Sequence, residues 1–580
     1  MKKKLAQQGW IRALNNKFSL QKAQKIYYKA LTPSALTWEK WVGLALVLVA
    51  AAVLRSQHIK ADPPTILPQI SGSAGIYFDE GIYCHNARNK ILFGQWITDE
   101  WNPMVYNAPL TMIYYLGFRL FGISIVTVKA INILFGLLGI LLFHAGLRRY
   151  LGSGPALALT VLFAFDFYGL MYNRIGLLEN FSMLCFLLGF YLFVRSEEGR
   201  WPAFFLGLTT AVAALSKYLF VYFLISTLLA VAYRAWRRSD ARSFLVFLAG
   251  CLTAGLPWFF GIYLPFRSTF SKIGSGWGML SLPRSIGQVY SNLLHNPLPR
   301  YLQLMPVAGF FLVLFGAWVL LKIGRSRTTG RPSGSGHAAD IDVFISFWIV
   351  GAILSMGLLN YRPLRYYLPL IPALYLAVSL LIRDRDWIRS ESRLFWLLAI
   401  LPAGLLFPFF QFLTVGPSSF LVFPLVLRLF VFLSLAGIIM FFAAPNTAWK
   451  TACAAVVFVV SLGCSLFLYA TQFYYKPTYR LEAASRFMET LPAGSVVMGQ
   501  EASRLTLGTR FKTVLAYENW FNDRDPFTRY APNYILVLDR FGDAEMGWIR
   551  RKFPDVATSL RLVRAFPIWD TTVSLYRVPE

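Results

Sequence analysis

Residues 200–238 read R-W-P-A-F-F-L-G-L-T-T-A-V-A-A-L-S-K-Y-L-F-V-Y-F-L-I-S-T-L-L-A-V-A-Y-R-A-W-R-R. Cations close both ends, and Lys217 alone interrupts an apolar run too long for one bilayer crossing of about 20 residues. The stretch therefore predicts two spans, 201–216 and 218–233, joined by a sharp turn at Lys217. Merging them would invert every later loop. Keeping them apart places the basic connections on one side, as expected of cytoplasmic loops.

Working outward, further apolar runs predict spans at 37–55, 127–147, 154–173, 177–194, 243–263, 302–322, 342–359, 366–382, 394–413, 419–443 and 450–471, about thirteen crossings in all. Alternate connections then hold Arg148 and Arg149, Arg195 and Arg200, Arg234, Arg237, Arg238 and Arg242, Lys322 to Arg331, Arg383 to Arg393, and Lys450. The expected organisation is a basic cytoplasmic segment at 1–36, a transmembrane domain at 37–471 with long external loops at 56–126 and 264–301, and a small extracytoplasmic α/β domain at 472–580. In the last, 479–491 has helical periodicity, 495–498 and 534–538 read as buried strands, and 566–578 alternates like an exposed pair. The N-terminus is expected in the cytoplasm and the C-terminus outside.

Composition agrees. Of 580 residues 56% are hydrophobic and 14% charged, against about 25% charged in soluble domains. A water-soluble enzyme, a disordered chain and a coiled coil are excluded. The net charge of +28 would suggest nucleic acid in a soluble protein, but the cations lie between apolar runs, so no nucleic-acid partner is expected. Cys84, Cys185, Cys251, Cys453 and Cys464 form no C-x-x-C pair, and the histidines have no metal-ligand spacing.

Ionisable groups at the membrane surface are costly unless paired or wet, so they mark candidate sites. The first external loop carries F-D-E-G-I-Y-C-H-N-A-R-N-K at 78–90, where Asp79, Tyr83, Asn86 and Lys90 would share one helical face. The plainer alternative is that Asp79 and Glu80 only favour a helix N-terminus. Arg174 and Glu179 are five residues apart at the next external turn, within ion-pair reach. Lys217 needs an anionic partner, and Arg362 and Arg365 flank a proline in N-Y-R-P-L-R-Y-Y-L-P, where snorkelling to headgroups is the alternative.

These features resemble the GT-C polyprenyl-phosphate-sugar glycosyltransferases, in the branch with protein O-mannosyltransferases and the lipid A aminoarabinose transferase. The likeness rests on the acidic pair Asp79 and Glu80 opening a long first loop, on G-Q-W and N-A-P-L within it, on R-x-x-L-L-E at 174–179, on L-S-K at 215–217 and on R-Y-Y-L-P at 365–369. It implies Asp79, Glu80 and Glu179 as catalytic acids and Arg174 as the basic residue before the second acid. Two positions depart from the aminoarabinose transferase pattern: Ile82 and Asn107 stand where that enzyme has cations. Lys217, Arg365 and Arg362, with Arg174, are then the expected phosphate ligands, Arg88 and His85 being weaker candidates, and Tyr83, Asn107 and His85 are expected to line the site.

The implied activity is transfer of a sugar from a polyprenyl-phosphate donor to an acceptor hydroxyl at the outer face of the cell membrane, with inversion. The inventory suits it, because a good leaving group needs one base and cations but no strong general acid. No cofactor is expected; the competing arrangement is an oxygen-rich metal site assembled from Asp79, Glu80, Glu179 and Asp99 or Glu100. The competing function is a multi-pass transporter of lipid-linked sugars or small molecules. That class is expected to show repeated halves and midplane charges, which the sequence does not display.

Overall fold

The computed structural model describes residues 38–63, 79–272, 283–294, 306–329, 337–360, 363–384 and 447–579 except 539–543 and 569–570, with isolated positions between 388 and 440. The N-terminal segment 1–36, residues 330–336 of the Gly/Ser/Thr-rich stretch 324–337 that composition marks as a cytoplasmic linker, and most of the spans expected at 394–413 and 419–443 lie outside this set. Among the described residues seven helical stretches are long and apolar enough to cross a membrane: Ile125–Leu151, Leu178–Arg195, Tyr218–Arg238, Ala241–Tyr263, Ala338–Gly357, Leu364–Arg383 and Thr451–Tyr474. Trp41–Ser56, Ser153–Ala164 and Phe311–Gly324 are apolar but shorter, so the expected total of thirteen is not reached among the described residues.

Helix α1 (Trp38–Ser56) is followed by the first long connection. That connection is more ordered than a loop reading implied, with α2 (Asp79–Ile82), α3 (His85–Phe93) and α4 (Met104–Phe121). Its helices break where the sequence demands. Gly94 takes the left-handed conformation that ends α3 (φ 72°), and Asn107 (φ −154°, ψ 77°) interrupts the start of α4. Asn107 Oδ1 accepts from Leu110 N at 3.0 Å, an N-cap for the remaining helix. Leu116, Leu120 and Phe121 of α4 are exposed, an apolar stripe of the kind that lies against lipid.

The bundle continues through α5 (Ile125–Leu151), α6 (Ser153–Ala164), α7 (Phe167–Tyr172), α8 (Leu178–Arg195), α9 (Arg200–Ser216), α10 (Val221–Arg238) and α11 (Ala241–Trp258). The span expected at 154–173 is thus two helices. Asp166 separates them and caps α7, accepting from Gly169 N at 3.1 Å and from Tyr375 Oη at 2.9 Å. The split at Lys217 holds: α9 ends at Ser216, and Lys217 is extended (φ −155°, ψ 114°) before the chain turns into α10. After these come α12 (Pro306–Thr329), α13 (His337–Gly357), a 3₁₀ turn Leu364–Leu370 leading into α14 (Ile371–Arg383), and α15 (Thr447–Tyr469).

One end of the bundle is knitted by the basic connections. Arg238 at the end of α10 meets Asp340 at the start of α13 at 2.6 Å. Asp342 on α13 takes Arg383 of α14 at 2.5 Å, Lys322 of α12 at 2.8 Å and Tyr150 Oη of α5 at 2.7 Å. The basic ends of α5, α10, α12 and α14 therefore share one face with the start of α13. Inside, an amide relay runs from Arg55 to Asn173 (3.1 Å), Asn173 to Asn180 (2.9 Å), Asn180 to Asn132 (3.1 Å) and Asn132 to Tyr114 (2.9 Å). Polar side chains with no water available satisfy one another across helices in this way.

At the opposite end sits a five-stranded sheet, with α16 (Arg480–Met488), β1 (Val496–Met498), α17 (Ala502–Leu505), β2 (Lys512–Val514), β3 (Tyr534–Leu538), α18 (Ala544–Lys552), α19 (Pro554–Ser559), β4 (Arg561–Ile568) and β5 (Thr571–Arg577). Strand order is β2-β1-β3-β5-β4; β1 pairs parallel with β2 and β3, while β5 runs antiparallel to β3 and β4. Val497, Leu536 and Leu575 face α16 and α17, and Met498, Ile535 and Val537 face α18. Alternation along β3 thus fills both layers, which is why 534–538 reads as uniformly apolar.

Candidate active site

Three separate elements bring charge to one place at the end of the bundle opposite the basic loops. Glu179 stands in the first turn of α8, where a carboxylate is favoured by the helix dipole. Lys217 occupies the extended break between α9 and α10. Arg365 lies in the 3₁₀ turn before α14, whose entry is fixed by Pro363 and whose Pro369 lacks an N–H. Lys217 Nζ is 2.5 Å from Glu179 Oε1, and Arg365 Nε is 3.4 Å from the same oxygen. The ring of Tyr366 lies 3.9 Å from Lys217 Nζ, a cation–π contact that orients the ammonium.

Asp79 opens α2 and meets this group through Arg365, Nη2 to Oδ2 at 3.3 Å. The contact is an ion pair without hydrogen-bond alignment. Neither Asp79 Oδ2 nor Glu179 Oε2 accepts a hydrogen bond among the described residues. Asp79 is 5% exposed, and burial pushes its carboxyl up to about 7; the field of Arg365 opposes that, Glu179 adds to it, Lys217 opposes it and Glu80 adds to it. An acid so placed is half-ionised near neutrality, as a general base should be. Tyr83 packs beside it, in a cluster with Ile82, Trp101, Leu515, Phe521, Tyr517 and Trp520.

Other expected site residues are drawn elsewhere. The single helical face of Asp79, Tyr83, Asn86 and Lys90 does not form, because the chain turns between α2 and α3. Asn86 bonds Asn102 at 2.9 Å, and Lys90 reaches Gly94 O at 2.8 Å. Arg174 does not pair with Glu179: its Nη2 donates to His58 O at 2.7 Å, and its guanidinium stacks on Phe473, 4.0 Å from the ring centre. Arg174 thus ties the ends of the first and last described spans together. Arg362 lies outside the described residues.

His85 and Arg88 serve the C-terminal sheet. His85 Nε2 meets Asp99 Oδ1 at 3.1 Å, and Asp99 Oδ2 accepts from Leu515 N at 3.0 Å and Asn522 Nδ2 at 3.1 Å. Arg88, 1% exposed, donates to the carbonyls of Leu507, Thr506, Thr509 and Phe511 at 2.8–3.1 Å. Glu100 is engaged with Lys272 at 3.1 Å and Arg529 at 2.8 Å. Asp99 and Glu100 are therefore turned toward the sheet, away from the metal arrangement that would have gathered them with Asp79. Glu80 also turns from Asp79: it pairs with Arg504 of α17, Nε to Oε2 at 2.9 Å. Sequence reading missed Arg504 and Tyr366. Arg504 is one arginine among many in a polar segment; Tyr366 sits inside the R-Y-Y-L-P motif beside Arg365, and an uncharged ring in an apolar stretch carries no signal of its own.

A helical bundle with a mixed sheet over one end, and a buried acid meeting cations from later segments beneath it, defines a polytopic membrane protein with a small α/β unit at one end. Residues 108–263 match the family model described as dolichyl-phosphate-mannose-protein mannosyltransferase. The fold is similar to that of ArnT from Cupriavidus metallidurans bound to undecaprenyl phosphate, at a TM-score of 0.55 and 17% identity over 92% of this chain and 98% of that one. The same protein in its apo state gives a TM-score of 0.53 at 17% identity, with the same coverage of 92% and 98%. No curated protein sequence matches the chain significantly. The resemblance read from the motifs is thereby borne out, and the multi-pass membrane architecture with it.

Proposed function

We propose that the protein transfers a sugar from a polyprenyl-phosphate donor to an acceptor hydroxyl at the extracytoplasmic face of the membrane. The observation that carries this reading is the Asp79–Arg365–Glu179–Lys217 constellation, one poised acid beside two cations at the end of the bundle opposite the basic connections. The undecaprenyl phosphate bound to the similar ArnT structure supports the choice of donor class.

In this reading the acceptor O–H gives its proton to Asp79, and the acceptor oxygen bonds to the anomeric carbon. The bond from that carbon to the phosphate oxygen breaks, and its electron pair leaves with the phosphate. A donor phosphodiester of one negative charge becomes a monoester of two, while Asp79 loses its own charge. The net charge of the site is conserved, and the new charge falls where Lys217 and Arg365 stand. Preorganised cations facing a developing charge are the largest catalytic term of such sites. Glu179, engaged by both cations, is a holder of Lys217 and Arg365 rather than a nucleophile. A single displacement with inversion follows, since retention would want a free second carboxylate about 5 Å from the first.

The decisive assay uses purified protein in lipid nanodiscs with candidate polyprenyl-phosphate sugars, with and without EDTA. Sugar transfer that survives EDTA is the expected result. Loss restored by Mn²⁺ would overturn metal independence, use of soluble nucleotide sugars would overturn the lipid donor, and transport of donor without transfer would favour the competing class. Sidedness is tested separately. Reporter fusions after Glu580 and within the linker 324–337 are expected on the outer and inner sides respectively, because basic connections mark the cytoplasmic side; signals from one side would overturn the orientation.

A further inference from the structure

Helix α2 has four residues, too few to hold itself by its own hydrogen bonds. Its position is set from both flanks by Glu80. Oε1 accepts from Gly176 N at 3.1 Å, in the turn that leads into α8 and Glu179. Oε2 takes Arg504 Nε at 2.9 Å, with both side chains 2% exposed or less. The backbones close the joint. A Cβ at Gly81 would stand 2.4 Å from Arg504 N and from the Ser503 carbonyl carbon, and one at Gly176 would stand 2.5 Å from Val128 and 3.2 Å from Glu80 Cα. Only glycine admits such approaches, so α2 is clamped between the α8 turn and α17 of the sheet. Arg88, whose guanidinium is bonded to four carbonyls of 506–511, anchors the next helix to the same region.

We propose that Arg504 is a positioning residue of the transfer reaction, fixing Asp79 through Glu80, so that the C-terminal sheet is a working part of the active site and not an appendage. The inference rests on the reading of Asp79 as the base. Removing one partner of a buried ion pair leaves the other charge uncompensated, so the loss of rate is read from a charge-balanced double variant and the single variants serve the pH profile and the partial rescue. A displacement of about 1 Å at a reacting group costs on the order of 10²-fold in rate, the scale expected if α2 is released.

The side chains facing Asp79 are Arg365 before α14, Glu179 on α8, Lys217 at the α9–α10 break and Tyr83 on its own segment, while Glu80, turned toward Arg504, acts on it only through its charge. Glu501 beside α17 also feels its charge. Among these Glu80 raises the Asp79 carboxyl, so neutralising Glu80 is expected to move the acid limb of the kcat/KM profile downward.

The test measures kcat, donor KM, thermal unfolding and the pH profile for Glu80→Gln, Arg504→Lys and the double variant Glu80→Gln/Arg504→Met in nanodiscs. The double variant carries no unpaired buried charge and is expected to fold. It should lose about 10²-fold in kcat at an unchanged donor KM, while Arg504→Lys recovers part of the rate and Glu80→Gln shifts the acid limb down. Wild-type kcat in the double variant, with an unmoved pH profile in Glu80→Gln, overturns the proposal. A merely structural bridge would lower the unfolding temperature but leave the acid limb in place, which also overturns it. Failure of the underlying reading is separately visible, because Asp79→Asn would then stay active.

Discussion

Asp79→Asn is expected to abolish sugar transfer, with kcat/KM falling by at least the 10²–10⁴-fold typical of a lost general base, while donor binding and expression persist. Asparagine has nearly the same shape and can still face Arg365, but it cannot accept the acceptor's proton. In the wild-type protein kcat/KM should rise with pH along a limb of unit slope centred at about 7, because burial lifts the Asp79 carboxyl from 3.8 to about 7. That limb should vanish in the variant. Stability carries the opposite sign. An acid whose folded pKa is raised costs stability as pH climbs from its ordinary value through the folded one, here between 3.8 and about 7. Asp79→Asn escapes that cost, so its unfolding temperature at pH 8 should equal or exceed that of wild type. A fully active variant, or a wild-type profile flat between pH 5 and 8, would remove Asp79 from the chemistry.

The second large effect concerns the phosphate. Lys217→Met and Arg365→Met should each lower kcat at saturating acceptor by about 10²–10³-fold, the range for removing one donor from a site of developing negative charge. Each single substitution also deprives Glu179 of a partner it holds at 2.5 Å or 3.4 Å, and an uncompensated buried carboxylate can by itself damage a site. The double variant Lys217→Met/Glu179→Gln separates the two causes. It restores charge balance without restoring a cation, so it should stay slow if Lys217 faces the leaving phosphate. Recovery of the rate would mean that Lys217 serves only to neutralise Glu179. Wild-type rates in the single variants would place the phosphate elsewhere.

Which candidates came together follows a physical pattern. Glu179, Lys217 and Arg365 were legible as single letters because each is an ionisable group beside long apolar runs, where exposure to lipid is forbidden and a partner is obligatory, whereas Asp79, in the long first external loop, was legible only as half of an acidic pair. Who the partner is was not legible. Arg174 and Glu179, five apart in sequence, looked like a pair, yet Arg174 turns to His58 and Phe473 while Glu179 takes Lys217 and Arg365. Asn107 shows the limit from the other side: its place among the site-lining residues came from resemblance, while its Oδ1 is occupied in capping α4.

The sequence by itself determined the membrane class, the break at Lys217, the shared face of the basic ends of α5, α10, α12 and α14, and the strands read at 495–498 and 534–538 and found at 496–498 and 534–538. These are all consequences of local hydropathy and period, which depend on the transfer of each segment out of water and need no knowledge of neighbours. Tertiary structure alone decided that Glu80 belongs to Arg504, that His85 and Arg88 fasten the sheet, and that Lys217 and Arg365 converge on one oxygen of Glu179. A buried charge selects its partner by distance and desolvation across the packed bundle. That selection joins residues hundreds of positions apart, and no periodicity along the chain records it.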